Sequence, residues 1–417
     1  MIMESEINES RSVEKKFTDS VAALRNKVIE NLVSSGFSIE GKSVLSVPQD
    51  KEFIRKVHAN AVFFLREKKK AFIEKYDGIF IEKFIIDGKE LDVHNIQPML
   101  RKIDTKLDNA LFNWVKLHWS IPISAGYGRR LRYVVYDKGN SAVMGIIGLA
   151  DPVYALGDRD RYIGWTTDVK KKNLKHVMDA FVLGAVPPYS YILGGKLIAS
   201  LLTSPRIRTD FSKQYKGKKS RISGELFDGK LVAITTASAF GKSSVYDRIN
   251  ITGGSKFLHI GWSKGSGEFH FLNGLYEQLR DLALPTLKWT KNPRWGKGSR
   301  NRRVVIQEAL RILNLPPDLI YHNITRELFL VPLGSKSLNF LRNETKQIGY
   351  YDISQNEIVE FALERWMIPR SKRKPDYLEF KREQYSLSLQ KEQGETSFRP
   401  LRLTAKNCTH SNGPNYQ

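Results

Sequence analysis

The segment from Lys288 to Arg303 interleaves cationic side chains with two tryptophans. Cations neutralise phosphates and flat rings stack on bases, so this combination is typical of a surface that binds single-stranded or flexible nucleic acid. The glycines on either side of Lys297 would let the backbone approach phosphates closely. The alternative is a solvated loop beside two core tryptophans. The predicted nucleic-acid-binding residues are Lys288, Trp289, Lys291, Arg294, Trp295, Lys297, Arg300, Arg302 and Arg303.

Other patterns that could support catalysis are incomplete. Gly241-Lys242-Ser243 lacks the earlier glycine of a phosphate-binding P-loop, because position 236 is threonine. Nearby serines would be nucleophiles only if a base approached them. A metal-dependent nuclease needs converging carboxylates, and no spacing selects a set, so we predict no metal site. The residues considered are Ser238, Ser243 and Ser244 as nucleophiles, and Asp151, Asp158, Asp160, Glu225 and Asp228 as metal ligands.

Composition limits the class of protein. The 417 residues include 67 Lys plus Arg and 44 Asp plus Glu, a net charge of 67 − 44 = +23 that predicts an acidic partner, either nucleic acid or protein. The single cysteine, Cys408, excludes an intrachain disulfide. We expect a soluble, cytoplasmic protein, because the sequence shows neither a membrane span nor the apolar core of a signal peptide.

Apolar periodicity predicts the elements that position these residues. Residues 1–120 are expected to form a helical region, with helices ending at Gly36 and Gly78 and a further helix from Leu107 to Trp119. The β-rich texture after Pro122 predicts a mixed α/β core over residues 121–284. Its predicted elements are the hairpin Leu131–Tyr136 and Ala142–Leu149, a strand within Phe181–Leu193, the helix Lys196–Leu202, the strand Leu231–Thr236, a short helix at Ser244–Ile249 and the strand Phe257–Trp262.

Beyond Pro285 the sequence predicts a basic α+β region over residues 285–368. It contains a helix from Val304 to Leu313, a strand from Glu327 to Leu333, and a helix opened by a capping box of Ser354 and Glu357. Residues 369–417 are rich in basic, Ser and Gln residues, which predicts a disordered tail.

The order of elements in the core resembles the acyl-CoA-binding core of GNAT acyltransferases. In that family the diphosphate of acyl-CoA lies on backbone N–H groups where a turn enters a helix. The resemblance assigns this role to Leu193, Gly194, Gly195 and Lys196, and the role of general acid toward the leaving thiolate to Tyr246. The family's usual Arg or Gln, followed by Gly and then Gly or Ala at fixed spacing, is absent here.

Three longer motifs resemble the DruA family of Druantia anti-phage proteins. They are the segments Arg159–Trp165, Leu193–Leu202 and Thr235–Tyr246, of which the last two also loosely resemble Mom-like phage DNA-modification proteins. The resemblance implies a component of a multi-gene bacterial defence system whose other proteins include a large helicase-like component. Arg159 and Asp160 match a family signature, and such a pair could also be a buried ion pair that fixes a loop.

We therefore predict a mixed α/β protein with a GNAT-like central sheet domain, a helical N-terminal region and a basic α+β C-terminal region. The expected function is anti-phage defence through recognition or modification of phage DNA or RNA, by an acyltransferase-like activity in which Tyr246, Asp160 and Arg159 are the catalytic candidates. The alternatives are a non-catalytic scaffold for the other proteins of the system, and a metal-dependent nuclease.

Overall fold

The structure is a computed structural model that describes residues 2–37, 39–40, 43–44, 50–124, 126–219, 224–251, 253–265, 269–271, 274–287 and 299–388. Over these ranges, helices pack against a seven-stranded mixed sheet, which confirms the predicted mixed α/β class. No helix in this part of the chain is long and apolar enough to cross a membrane.

The described helices are α1 (Ile2–Ser34), α2 (Lys51–Glu67), α3 (Lys70–Phe84), α4 (Lys106–Lys116), α5 (Gly157–Ile163), α6 (Thr167–Asn173), α7 (Gly194–Ser200), α8 (Pro205–Tyr215), α9 (Leu275–Ala283), α10 (Ser299–Ile312), α11 (Ser337–Leu341), α12 (Gln355–Ala362) and α13 (Ile368–Arg373). A π-helical turn (Leu363–Met367) joins α12 to α13. The 3-10 turns are Gly88–Glu90, Val93–Asn95, Leu174–His176, Leu201–Thr203, Tyr246–Arg248, Phe269–Phe271, Pro317–Ile320, Pro375–Glu379 and Arg382–Tyr385.

The described strands are β1 (Ile39–Glu40), β2 (Ser43–Val44), β3 (Pro98–Lys102), β4 (Arg130–Asp137), β5 (Ala142–Ala150), β6 (Val177–Ala185), β7 (Ala233–Ala237), β8 (Leu258–Trp262) and β9 (Glu327–Pro332). The large sheet has the order β3-β4-β5-β6-β7-β9-β8. Its described neighbours are antiparallel except β6 and β7, which are parallel and are joined through α7 and α8. A parallel pair requires such a long crossover. An antiparallel hairpin followed by this crossover is compatible with a GNAT-like core.

The predicted hairpin is confirmed as β4 and β5, which pair from Arg130↔Ala150 to Asp137↔Ala142. Asp137 shapes the turn, because its carboxylate accepts the N–H groups of Gln97 (2.7 Å) and Gly139 (3.1 Å) and the hydroxyl of Tyr189 (2.9 Å). Every residue of β5 is buried, since helices cover both faces of the sheet at this strand.

Four apolar clusters surround the strands. One cluster lies on one sheet face and includes residues of α7, α8 and α12, such as Ile198, Phe211 and Ile358. The opposite face carries two clusters, one from α3 and α4 and one that includes Ile163 of α5 and Phe340 of α11. The fourth joins α1 and α2 to α9 and α10. The predicted domain boundaries at residues 120, 284 and 368 stay predictions.

The second predicted N-terminal helix differs from the structure. The second N-terminal helix is interrupted at Lys68 and Lys69, and its second part continues through Gly78 to Phe84. A glycine inside a helix costs only about 1 kcal/mol relative to alanine. Burial of Phe80 and Ile81 beyond Gly78 offsets that cost. The capping box is confirmed, with the Ser354 N–H donating to the Glu357 carboxylate at 2.7 Å.

The expected loss of order after Pro369 is wrong for residues 369–388. These residues form α13 and two 3-10 turns, and Phe380, Tyr385 and Leu387 are buried against α3 and α4. The reason is Asp77 of α3, whose carboxylate accepts hydrogen bonds from the Ser386 hydroxyl and from two later backbone N–H groups. A contact between such distant residues leaves no local pattern in the sequence.

Candidate active site between two parallel strands

The sheet opens between its two parallel strands. Pairing of β6 with β7 runs from Val177↔Ala233 to Ala180↔Thr236. Beyond that point β6 continues to Ala185 in register with β5 alone, while β7 remains paired with β9. In α/β sheets, ligands bind in the crevice outside the carboxyl ends of parallel strands. Two polar side chains, Asp179 and Thr235, lie near the end of this pair.

Asp179 of β6 lies directly opposite Thr235 of β7. The Thr235 hydroxyl donates to the Asp179 carboxylate at 2.7 Å, and the second carboxylate oxygen accepts no hydrogen bond from the described residues. Burial raises the pKa of Asp179 to about 6, against the opposing effects of the Thr235 hydrogen bond and the Arg159 charge. A carboxyl group that titrates near neutrality is suited to take up or release a proton.

Tyr246, the predicted general acid, lies on the other face of the sheet from Asp179, because it contacts Thr236 and Phe329, but it is near enough for the Asp179 charge to affect its pKa. Its ring stacks on Phe257 with centroids 5.5 Å apart and contacts Phe329 edge-on at 5.3 Å. Its hydroxyl is hydrogen-bonded to Thr236, the residue after Thr235. Burial raises the pKa of Tyr246 to about 12, and the charge of Asp179 adds to this effect. Tyr246 is therefore protonated at neutral pH and can donate a proton.

The loop that leads from β7 to Tyr246 is organised by Glu327 of β9. The Ser243 N–H donates to the Glu327 carboxylate at 2.6 Å, and the Glu327 N–H donates to the Ser238 hydroxyl at 3.0 Å. The Ser243 hydroxyl then accepts the N–H of Tyr246 at 3.0 Å. The Ser243 N–H of the Gly241-Lys242-Ser243 segment thus binds a carboxylate of the protein itself, in agreement with the rejection of a P-loop. Ser238 and Ser243 serve the loop's own hydrogen bonds.

Arg159 and Asp160 form a closed network in α5. The fully buried Arg159 guanidinium donates to Asp160 Oδ1 (2.7 Å) and to the carbonyls of Val153 and Tyr154. Lys170 binds the second oxygen of Asp160 at 2.9 Å. Because both oxygens of Asp160 are engaged by cations, this pair positions the segment before α5. The Arg159 charge also acts on Asp179, where it lowers the pKa of the carboxyl group.

Two further residues of the Arg159–Trp165 motif complete this network. Gly164 ends α5 in the left-handed region, at φ +79°, where a side chain would be unfavourable. Trp165 packs under the Arg159 guanidinium, 5.4 Å from ring centroid to Cζ, and donates to the Leu341 carbonyl.

The turn at Leu193–Lys196 does not fit the backbone diphosphate site of a GNAT protein. The Gly194 N–H donates to the Tyr189 carbonyl at 2.8 Å and the Lys196 N–H donates to the Leu193 carbonyl at 2.9 Å, so neither is available to a diphosphate. Gly194 is required by packing, because a Cβ there would lie 2.7 Å from the Tyr189 oxygen. The Lys196 ammonium lies over the Trp366 ring. We derive no step through acyl-CoA.

Most of the predicted nucleic-acid segment lies outside the described residues. This applies to Lys288, Trp289, Lys291, Arg294, Trp295 and Lys297, while Arg300 lies on α10 and its side chain is not among those described. Arg302 and Arg303 pack on aromatic rings. Their guanidinium carbons lie 4.0 Å from the Tyr276 ring centroid and 4.8 Å from that of Tyr321, whose hydroxyl accepts from Arg303.

Sequence reasoning missed Asp179 and Thr235 as site residues. The available signal was a single carboxylate inside the apolar stretch Val177–Ala185, which has no other charged residue. Across the described ranges, no three His, Cys, Asp or Glu side chains converge to hold a metal ion.

Comparison with known proteins identifies the family. Residues 48–343 match the family model described as Druantia protein DruA. Over 363 residues the chain is 37% identical to the Druantia protein DruA of Escherichia coli (strain UMEA 4076-1), covering 85% of this chain and 89% of the relative. No solved structure matches. The chain therefore belongs to the DruA family, whose namesake is a component of the Druantia anti-phage defence system.

Proposed function

We propose that this Druantia component acts on phage nucleic acid and transfers a group to it at the opening between β6 and β7. The observation that carries this proposal is the Asp179 carboxylate, held by Thr235, with a pKa of about 6 and with protonated Tyr246 nearby. An acid and a base with separated pKa values suit proton-coupled group transfer, and here a substrate would have to meet both past the ends of the paired strands, where the sheet opens between its two faces.

Asp179 and Tyr246 each have one role in the proposed proton transfers. Asp179, ionised above about pH 6, takes the proton that the attacking nitrogen or oxygen of the nucleic acid loses. As that nitrogen or oxygen bonds to the acyl carbon of a thioester donor, the carbon–sulfur bond breaks and Tyr246 gives its proton to the departing thiolate; both side chains then recover their starting protonation by exchange with water. Thr235 orients the Asp179 carboxylate, and the Arg159 network keeps part of it ionised by lowering its pKa.

An exposed aromatic ring supports nucleic acid as the substrate. Tyr127 is 49% exposed, and partial burial together with the charges of Asp151 and Asp179 raises its pKa to about 12, which places it within reach of the Asp179 charge. A tyrosine at the mouth of such a site can stack on a base that has left its helix. The net charge of +23 favours a polyanion.

Nucleoside mass spectrometry of phage and host nucleic acid tests the chemistry. Cells that carry the complete Druantia system should show an adduct that disappears with Asp179→Asn and persists with Asp168→Asn, a change at an exposed carboxylate on α6. If no adduct forms and Asp179→Asn protects against phage as well as the natural protein, the chemistry proposed for Asp179 is wrong.

The segment from Lys288 to Arg303 is the proposed contact for the strand. Replacing Lys288, Lys291, Arg294 and Lys297 by Gln should weaken DNA or RNA binding and reduce the slope of log affinity against log salt by about 3. A matched control replaces the exposed lysines Lys138, Lys171, Lys172 and Lys346. Equal losses in both variants would mean that the segment is not a specific contact.

A second candidate is a non-catalytic scaffold for other Druantia proteins, including a large helicase-like component. It is favoured by the turn at Leu193–Lys196, where two backbone N–H groups are used internally. A scaffold predicts that Asp179→Asn and Tyr246→Phe preserve both phage protection and the co-purifying complex. Loss of protection with an intact complex would reject it in favour of chemistry.

A further inference from the structure

A pocket of about 580 Å³ lies at the ends of β3 and β4, beside α8. Its size falls within the range of about 300–1,000 Å³ typical of sites for small organic ligands. The lining residues are Lys102, Ile103, Asp104, Gly128, Arg130, Arg132, Gln214, Tyr215 and Lys218. Four of these are cations and one is a carboxylate, so the lining has a net positive charge.

The two arginines of the pocket are held by neutral groups. Arg130 donates to the Gly126 carbonyl at 2.9 Å, and Arg132 donates to the Asn109 side chain at 2.7 Å. In the described part of the chain, none of the four forms an ion pair. Adjacent arginines differ, because Arg101 binds Asp108 at 3.0 Å and Arg129 binds Asp151 at 2.6 Å. Carboxylates therefore form ion pairs with the arginines next to the pocket, whereas the four pocket cations have no such partner among the described residues.

The same excess of positive charge affects the pKa of Lys116 on α4. Burial, together with the charges of Arg132, Arg130 and Lys69, lowers its pKa to about 8. Such repulsion is relieved when an anion binds.

Gln214 gives the pocket wall an unsatisfied acceptor. Its side-chain N–H₂ donates to the Arg130 carbonyl at 3.2 Å and to the Tyr215 hydroxyl at 2.9 Å, which fixes the orientation of the amide. The Gln214 side-chain oxygen is buried and has no partner among the described residues. This oxygen needs a donor, which a hydroxyl or amine of a ligand would supply and a bare anion would not.

We propose that this pocket binds one nucleotide, with its phosphate on Arg130, Arg132 and the two lysines and with a sugar hydroxyl or base amine on Gln214. The nucleotide is either free or part of a strand. The inference rests on the proposed function in taking nucleic acid as the substrate of the protein. The loop before β4 joins the two sites, because Tyr127 lies near Asp179 while Gly128 and Arg130 line the pocket.

Binding measurements on the full chain test this site. The probes are a labelled single-stranded oligonucleotide followed by fluorescence anisotropy, and adenosine monophosphate and inorganic phosphate followed by calorimetry. Arg130→Gln with Lys218→Gln should weaken binding of the oligonucleotide, the mononucleotide or both by about tenfold or more at low salt. The charge-matched control, Lys138→Gln with Lys346→Gln, should bind like the natural protein, and Lys102→Gln with Lys218→Gln provides a second pocket variant.

Each outcome is decisive. Weakened binding of the oligonucleotide alone identifies a strand as the source, and weakened binding of the mononucleotide identifies a free nucleotide. Equal binding by all variants, equal losses in pocket and control variants, or phosphate binding as tight as nucleotide binding would overturn the proposal. Asp179→Asn should bind both probes normally, so failure of the chemistry is distinguishable from failure of this site.

Discussion

The Thr235 hydroxyl donates a 2.7 Å hydrogen bond to the Asp179 carboxylate across the parallel pair of β6 and β7. This contact holds one carboxylate oxygen at the point where the two strands stop pairing. The second oxygen accepts nothing from the described residues. Strands β6 and β7, which a long crossover separates in the sequence, thus fix the orientation of the Asp179 carboxyl group and leave one of its oxygens without a partner among the described residues. A catalytic base needs a fixed orientation of this kind.

Asp179→Asn is expected to stabilise the protein at neutral pH. Burial raises the folded-state pKa of Asp179 from 3.8 to about 6, so its favourable contribution is present below 3.8 and is lost as pH rises through 6. Asparagine keeps an acceptor for Thr235 without the buried charge. The gain should reach at most about 3 kcal/mol at pH 7.5 and vanish near pH 4.

Thermal melts of both proteins across this pH range measure the difference, with Asp168→Asn as a control at an exposed position. A melting temperature below that of the natural protein at pH 7.5 would show that the Asp179 charge is not destabilising.

Tyr246→Phe should remove chemistry while leaving the fold intact. Phenylalanine keeps the contacts with Phe257 and Phe329, so the stability loss should be about 1 kcal/mol, the typical contribution of one hydrogen bond. Loss of a general acid should lower the rate of adduct formation by about a hundredfold or more. The measurements are adduct formation over time and thermal melting.

Tyr162→Phe on the exposed face of α5 is the control for Tyr246→Phe. Unchanged adduct formation in Tyr246→Phe would assign the proton to another donor, such as water.

The sequence predicted local features well and long-range ones poorly. The β4–β5 hairpin and the Ser354 capping box follow from turn and cap residues within a few positions. The site depends on Asp179 meeting Thr235, 56 positions away, which only the pairing of β6 with β7 determines. The order of elements, which resembles that of GNAT acyltransferases, indicated Tyr246, but nothing local in the sequence indicated Asp179.

Asp160→Ala is expected to destabilise the protein. It leaves the fully buried Arg159 guanidinium without its carboxylate, which typically costs about 3–5 kcal/mol. Chemical unfolding with urea measures the loss, and Asp168→Ala on α6 should cost less than about 1 kcal/mol because its ion pair with Lys171 is exposed. An Asp160→Ala protein of normal stability that had lost a metal-dependent cleavage would instead support a nuclease.

Asp77→Ala should release the C-terminal segment that follows α13. The Asp77 carboxylate accepts the Trp114 indole N–H at 2.7 Å, the Ser386 hydroxyl at 2.7 Å and the Ser388 N–H at 3.0 Å. Burial raises the pKa of Asp77, but these hydrogen bonds outweigh it and hold the pKa below 3.8. The stabilisation is therefore present at neutral pH and lost as pH falls through the folded-state pKa.

Limited proteolysis with mass spectrometry measures this release. Asp77→Ala should be cut between Lys374 and Ser388 at neutral pH at least about tenfold faster than the natural protein, because each buried donor left unpaired costs about 1–3 kcal/mol. Glu82→Ala, an exposed change on the same helix α3, is the control and should be cut at the natural rate. Equal cleavage of Asp77→Ala and Glu82→Ala would show that the apolar contacts of Phe380, Tyr385 and Leu387 hold the segment without the carboxylate.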